Sequence, residues 1–364
     1  MSFENSVSNE IEKIIEIRII QVDAESILSL IKTERDPIFY MGSIPYYALF
    51  VQECQNYIGE VFVKEPYASK IKDIRNFIKV YGERFGKTKK RIEKVDDNQN
   101  ELYKSQLKFD FMKDWNVHLN IGTYWTSDKH LIGNTQMFAD YLDIKNPFDE
   151  NCKNTQLEFG EQLGSFISSV GYRFSQMITP PEIVRNQSGV QIGYYCDLNT
   201  NIENKLFFDV QNKTLNLFYL NLLCSLNFIK YLLRPLFNDE NIWLFRIEYV
   251  VAYYTYKSFQ RLKSHCDYDK KLKLDLQEFM DELNQYSVIF KSIFRNCMMH
   301  YKLESQGVLV MENIEKPFFG IVETCYGNSM NYYLLLNKLR NLIDKMSSFL
   351  EDKLNLENIV LEKL

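Results

Sequence analysis

Glycine and proline are scarce, at 14 and 8 of 364 residues. That excludes a collagen-like repeat and works against a turn-dense β-sandwich, since both need residues of special backbone freedom at short intervals. The seven cysteines are Cys54, Cys152, Cys196, Cys224, Cys266, Cys297 and Cys325, and no C-x-x-C occurs. A zinc ribbon and a thioredoxin-type centre therefore have no support, and an odd, scattered set points to reduced thiols in a cytoplasmic protein. An excess of basic residues is also missing. With 43 Lys and Arg against 48 Asp and Glu, the net charge is −5. That argues against a polybasic nucleic-acid binder but leaves room for a local cleft. No G-x-S-x-G, H-E-x-x-H or G-x-G-x-x-G is present. Serine-hydrolase, zincin and dinucleotide-binding chemistry have no foothold, and neither a cofactor nor a metal is expected.

The N-terminus, MSFENSVSNEIEK, lacks the basic and apolar regions of a signal peptide. The longest apolar stretch, 215–229, is interrupted by Asn216, Asn221, Ser225 and Asn227. It falls short of the roughly 20 apolar residues that span a bilayer, so it reads as a buried helix and no membrane association is expected.

What the chain does hold is a large core. Hydrophobic residues make up 46%, with 26 Phe and 24 Tyr, and charged residues 25%. Few breakers and many long side chains favour helices. Apolar rhythm predicts helices over 11–20, 46–63 and 71–85. The stretch Asp96–Asn100 reads as a loop, and Thr123–Thr126 is ambiguous between strand and loop. Texture changes near Asn146–Pro147. Beyond it a helix is expected from Asn154–Thr155 to about Ile178, a short strand over Leu206–Val210, and long helices over 214–233, 241–263, 274–302 and 329–354. In the third of these, Leu276, Phe279, Leu283, Phe290, Ile293, Phe294, Cys297 and Tyr301 form the core stripe. Four long helices with modest connections argue for an all-α protein ending in a helical bundle. The division expected is an N-terminal, mainly helical accessory or sensor domain, 1–150, and a helical domain, 151–364.

Three constellations carry little chemistry. Gly82–Thr88 comes one residue short of a P-loop and reads as a helix running into a basic loop, in which Lys87, Lys89, Lys90 and Arg91 could touch a phosphate backbone. Arg261 and His265 precede Cys266, Asp267 and Asp269, an arrangement read as a helix end and a charged loop. His118 and His130, near Trp115 and Trp125, read as ordinary histidines.

The strongest signal is Phe294-Arg295-Asn296-Cys297-Met298-Met299-His300-Tyr301. On a helix, Asn296 and His300 lie about 40° apart on a face shared with Ser292 and Met299, opposite the core stripe. Arg295 is about 140° from His300, and its long side chain can curl over. The segment resembles the HEPN superfamily, whose signature is Arg, four to six residues, then His, often with Asn after the Arg. The setting, a late helix of an all-α bundle, is similar, and the resemblance covers about 155–364. It implies a metal-independent endoribonuclease whose site forms where two protomers bring their motif helices together. A ribose 2′-OH would attack the adjacent phosphodiester, His300 would move the proton, Arg295 would hold the phosphate oxygens and Asn296 would orient either group. It also implies an RNA substrate, a homodimer, an antitoxin or regulatory partner, and a place in bacterial defence, abortive infection or a toxin system. The Tyr that some HEPN toxins carry two residues after the His is Lys302 here, with Tyr301 adjacent. The alternative expectation is a non-catalytic dimeric helical module that binds RNA, nucleotide or protein.

Overall fold

A computed structural model describes residues 2–34, 36–60, 62–83, 85–106, 120–142, 144, 150–177, 192–199, 213–265, 270–303, 315–354 and 361–363. The protein is predominantly helical, with one small sheet. Helices α1 (Ser2–Thr33), α2 (Pro37–Ile58), α3 (Tyr67–Glu83) and α4 (Phe85–Gln106) come first. Strands β1 (Asn120–Thr126) and β2 (Leu131–Asn134) follow, then α5 (Thr135–Leu142), α6 (Glu150–Ser175) and β3 (Ile192–Asn199). The rest comprises α7 (Lys213–Asn227), α8 (Ile242–His265), α9 (Lys270–Leu283), α10 (Ser292–Met299), α11 (Ile321–Tyr326), α12 (Tyr332–Lys353) and β4 (Glu362–Lys363).

Local chemistry sets several boundaries. Asp36 caps α2, its Oδ1 accepting the Ile38 N–H at 2.8 Å, and Pro37 starts the helix where no N–H is needed. Gly59, at φ 75°, ends it by returning its N–H to the Gln55 carbonyl. Beyond α7, Phe228–Leu233 forms a π-helical turn, and Pro235, which has no N–H to continue the ladder, stops it.

The four strands pair in the order β2-β1-β3-β4, each pair antiparallel. The ambiguous Thr123–Thr126 is thus strand, turning into β2 through Lys129 at φ 65°. The strand expected over Leu206–Val210 lies outside the described residues. The loop expected over Asp96–Asn100 is helix inside α4. Its polar composition is satisfied by tertiary partners, since buried Asp96 accepts Gln136 at 2.9 Å and pairs with Lys213 at 2.6 Å.

The buried apolar side chains from Ile15 to Leu354 form one continuous cluster, to which residues before and after 150 both contribute. Helix α8 lies at its centre, with Trp243, Phe245, Tyr249, Val250, Ala252 and Phe259 buried. It packs against α1, α3, α10 and α12. Burying each large side chain contributes about 2–3 kcal/mol.

The expected helix over 274–302 is interrupted. It is α9, a 3-10 turn over Asn284–Ile289, a break at Phe290 (φ −105°, ψ 65°), and then the eight-residue α10. Asn284, Ser287, Val288 and Ile289 are weak helix formers. The Ile289 carbonyl freed by the break accepts both the Tyr249 hydroxyl, at 3.2 Å, and the Tyr326 hydroxyl. Two tyrosines thus satisfy a buried carbonyl that an unbroken helix would have satisfied itself.

Candidate functional site

Helix α10 carries the Arg295–His300 segment. Phe294 anchors it, meeting the Tyr249 ring edge-on at 4.9 Å and the Tyr326 ring at 5.2 Å. Cys297, Met298 and Met299 are buried as well. Burial of Met299 corrects the expected face, which the sequence places opposite the core. Helix α10 is covered on more than one side, while Asn296 and His300 stay half-buried and Ser292 exposed. The His300 N–H bonds to the Asn296 carbonyl at 2.9 Å, so the two remain one turn apart. At His300 itself the chain leaves the helix, at φ −133° and ψ 156°.

That exit is clamped from several elements. Arg246 of α8 donates through Nη2 and Nε to the Met298 carbonyl, at 3.0 and 3.3 Å, which satisfies the open end of α10. The same guanidinium pairs with Asp23 of α1 and stacks 4.4 Å over the Tyr301 ring. The Tyr301 hydroxyl donates to Asp23 at 2.6 Å, and the Leu303 N–H to Glu16 at 2.5 Å. Burial pushes the Asp23 carboxyl up to about 6, against the Arg246 charge and the hydrogen bonds from Tyr301 and Arg246.

His300 reaches α2. Its Nδ1 lies 2.6 Å from Glu53 Oε2, while Arg75 of α3 takes Oε1 at 2.5 Å. Glu53 is 3% exposed and the His300 side chain 36%. Burial works to raise the Glu53 carboxyl, but the hydrogen bond from His300, the charges of Arg75 and His300, and the Arg75 hydrogen bond outweigh it and hold the group below its ordinary value. An ionised carboxylate only accepts, so the proton in this hydrogen bond is carried by Nδ1. The imidazole is thereby oriented through Nδ1.

Arg295 takes another direction. Its guanidinium lies 5.8 Å over the Tyr253 ring of α8, and its Nε is buried without a hydrogen-bond partner. No hydrogen bond joins Arg295 to His300 among the described residues. Of the three expected site residues, one chain therefore keeps Asn296 and His300 on neighbouring turns and holds Arg295 apart.

Sequence reasoning missed Glu53 and Arg75. The available signal was a carboxylate inside the apolar run Leu49-Phe50-Val51-Gln52-Glu53-Cys54, because a buried charge requires a partner. The identity of that partner, 247 residues away, was not legible.

Of the weaker constellations, the near P-loop spans the end of α3 and the start of α4, and Lys87–Arg91 are helical. Arg91 is engaged by Asp140 at 2.9 Å and covers the Phe77 ring. His130 stacks on Tyr231 at 3.7 Å and meets Glu351 at 2.9 Å, a satisfied surface histidine. His118, Trp115 and Cys266–Asp269 lie outside the described residues. Among the described residues no group of three His, Cys, Asp or Glu side chains could hold a metal ion, and no helix is long and apolar enough to cross a membrane.

A consequence for stability follows from Glu53. Its carboxyl is held below its ordinary value in the folded chain, so it contributes stability that is present above the ordinary carboxylate range and lost as pH falls through and below it. The stability deficit of Glu53→Gln is therefore largest near neutral pH and shrinks in acid. Urea unfolding at several pH values checks this.

Comparison with family models, curated proteins and solved structures finds no match to this chain.

Proposed function

We propose that the protein is a metal-independent endoribonuclease that acts as a homodimer, with His300 as its general acid–base. The observation that carries this reading is the half-exposed His300 ring, whose Nδ1 is held by the buried, ionised Glu53, with no hydrogen bond to Nε2 among the described residues. That arrangement prepares an imidazole to take a proton from a ribose 2′-OH and return one to the leaving oxygen. The remaining roles follow the HEPN resemblance. Arg295 holds the phosphate oxygens, Asn296 orients the imidazole or the phosphate, and attack by the 2′-OH leaves a cyclic phosphate. Since Arg295 and His300 of one chain point to different elements, the second copy supplies the cation opposite each imidazole. Residues 1–150 contribute Glu53 and Arg75 and act as the accessory part. Bacterial defence, with an antitoxin or regulatory partner, is the proposed setting.

Digestion of mixed RNA with and without EDTA tests the chemistry. Cleavage is expected to persist in EDTA, and activity that appears only with added divalent metal overturns the mechanism. Sedimentation at micromolar concentration tests the assembly, with a dimer expected. A strict monomer removes the shared site.

A second reading has its own observation. Glu53 also binds Arg75, and Arg295 rests on Tyr253, so the segment can serve as a clasp that ties α10 to α2 and α8. The protein is then a non-catalytic helical module for RNA, nucleotide or a protein partner. Folded His300 variants with unchanged cleavage select it.

A further inference from the structure

The solvent face of α4 carries a run of cations. The helix buries Thr88, Ile92 and Asp96 on one side. On the opposite side Lys87, Lys90, Arg91 and Lys94 recur at helical spacings, and the three lysines are exposed. Arg91 is held by Asp140, and Lys89, which lies off this stripe, meets Glu93 at 3.7 Å. Lys87, Lys90 and Lys94 make no ion pair among the described residues. Residues 85–95 hold five cations and one acid, a net charge of +4 in a chain of −5. The rest of the chain therefore carries −9, and this stripe stands out against an acidic surface.

Nothing in the helix itself calls for this arrangement. Lys87 with Lys90, Lys87 with Arg91, Lys90 with Lys94 and Arg91 with Lys94 are like-charge neighbours one turn apart, which weaken a helix. Lys87 also sits in the first turn, where the helix dipole disfavours a cation, and that turn holds no acid to offset it. A local rule broken with no gain inside the fold points to a task outside it. From Lys87 to Lys94 the stripe rises about 10 Å. That is the length of about three steps along one stacked nucleic-acid strand. No aromatic side chain lies between Gly86 and Lys94, so the face offers charge and no stacking platform for bases. The apolar side chains that would enter a lipid surface beside the cations are missing from it as well.

We propose that Lys87, Lys90 and Lys94 form a docking surface for the phosphate backbone of an RNA strand, outside the His300 site and indifferent to base sequence. That the strand is RNA rests on the ribonuclease reading. The three ammonium groups neutralise successive phosphates and release their condensed counterions, so binding through them weakens steeply with salt. Contacts of this kind position a strand and carry no sequence information. Helix α4 lends no residue to the cluster of His300, Glu53 and Arg75, and it follows α3, which supplies Arg75. The stripe therefore acts on affinity for a long strand and leaves the chemical step alone.

The test compares the full chain with a triple variant, Lys87→Gln, Lys90→Gln and Lys94→Gln. Binding of a fluorescein-labelled, mixed-sequence RNA is followed by anisotropy in EDTA over a range of salt, with His300→Ala in both chains to prevent cutting. Near physiological salt the triple variant is expected to bind tenfold or more weakly. Its plot of log affinity against log salt should flatten by about 2, from about 0.7 for each lysine removed. An RNA of different sequence should lose the same factor. With His300 restored, cleavage of a dinucleotide should not change. The melting temperature should hold or rise, because Gln is a good helix former and the like-charge neighbours are gone. Unchanged affinity and slope overturn the proposal, as does a full chain that binds no RNA, or a triple variant that melts several degrees lower. Polyglutamate that competes as well as RNA of equal charge also overturns it and assigns the stripe to an acidic protein. Stripe-dependent binding without cleavage rejects the ribonuclease reading and keeps the stripe. Cleavage with the triple variant's affinity unchanged rejects the stripe alone.

Discussion

Replacing His300 by Ala is expected to lower RNA cleavage by about 10²-fold or more, the usual scale for loss of a general acid–base. The protein should stay folded, because Glu53 keeps Arg75 as a partner when the imidazole is removed. The stability loss should be about 1 kcal/mol, the net value of one hydrogen bond. Arg295→Ala should cost a similar factor in cleavage through loss of phosphate contact, with a small effect on folding, since its guanidinium rests 5.8 Å over the half-buried Tyr253 ring. Asn296→Ala should lose less, as an orienting group.

Arg246→Met is expected to be the most destabilising single change near the site. It leaves the Asp23 carboxylate without its cation and the Met298 carbonyl without its donor, in surroundings where Arg246 is 3% exposed and Asp23 1%. Breaking a buried pair by removing one partner costs about 3–5 kcal/mol. The sign of the pH response is fixed by Asp23. Its carboxyl is already raised from 3.8 to about 6, so above that value the folded chain carries the cost of a buried charge. The cost is relieved as the group takes up a proton on acidification, the reverse of a salt-bridged carboxylate whose affinity for protons is lowered. Without Arg246 the carboxyl rises further. The deficit of Arg246→Met in urea unfolding should therefore be largest near neutral pH and narrow towards about pH 5. Since Arg246 also holds the exit of α10, cleavage should fall at temperatures where the variant is still folded.

The sequence rendered the helices legible where one stripe is buried. The expected 241–263 and 329–354 match α8 and α12 closely, because their apolar residues recur at helical spacing. It did not reveal the break at Phe290. The apolar stripe continues in register from Leu283 to Tyr301, while the interruption is stabilised by Tyr249 and Tyr326, which are distant in the chain. The sheet was hidden for a related reason. Its strands are short, and β1 meets β3 across a separation that no local pattern reports. In the candidate site, Arg295, Asn296 and His300 were visible as a spacing on one helix. Their environment was not, because Glu53 and Arg75 reach His300 through tertiary packing and Arg295 turns to a different helix.

The most direct test of the central claim is product analysis of a short RNA beside the same oligonucleotide with 2′-deoxyribose throughout, both incubated in EDTA with the full chain. Attack by the 2′-OH predicts that only the RNA is cut, that its new ends carry a cyclic phosphate, and that His300→Ala abolishes those ends. Equal cutting of the deoxy strand, or intact RNA in the presence of the folded dimer, contradicts it.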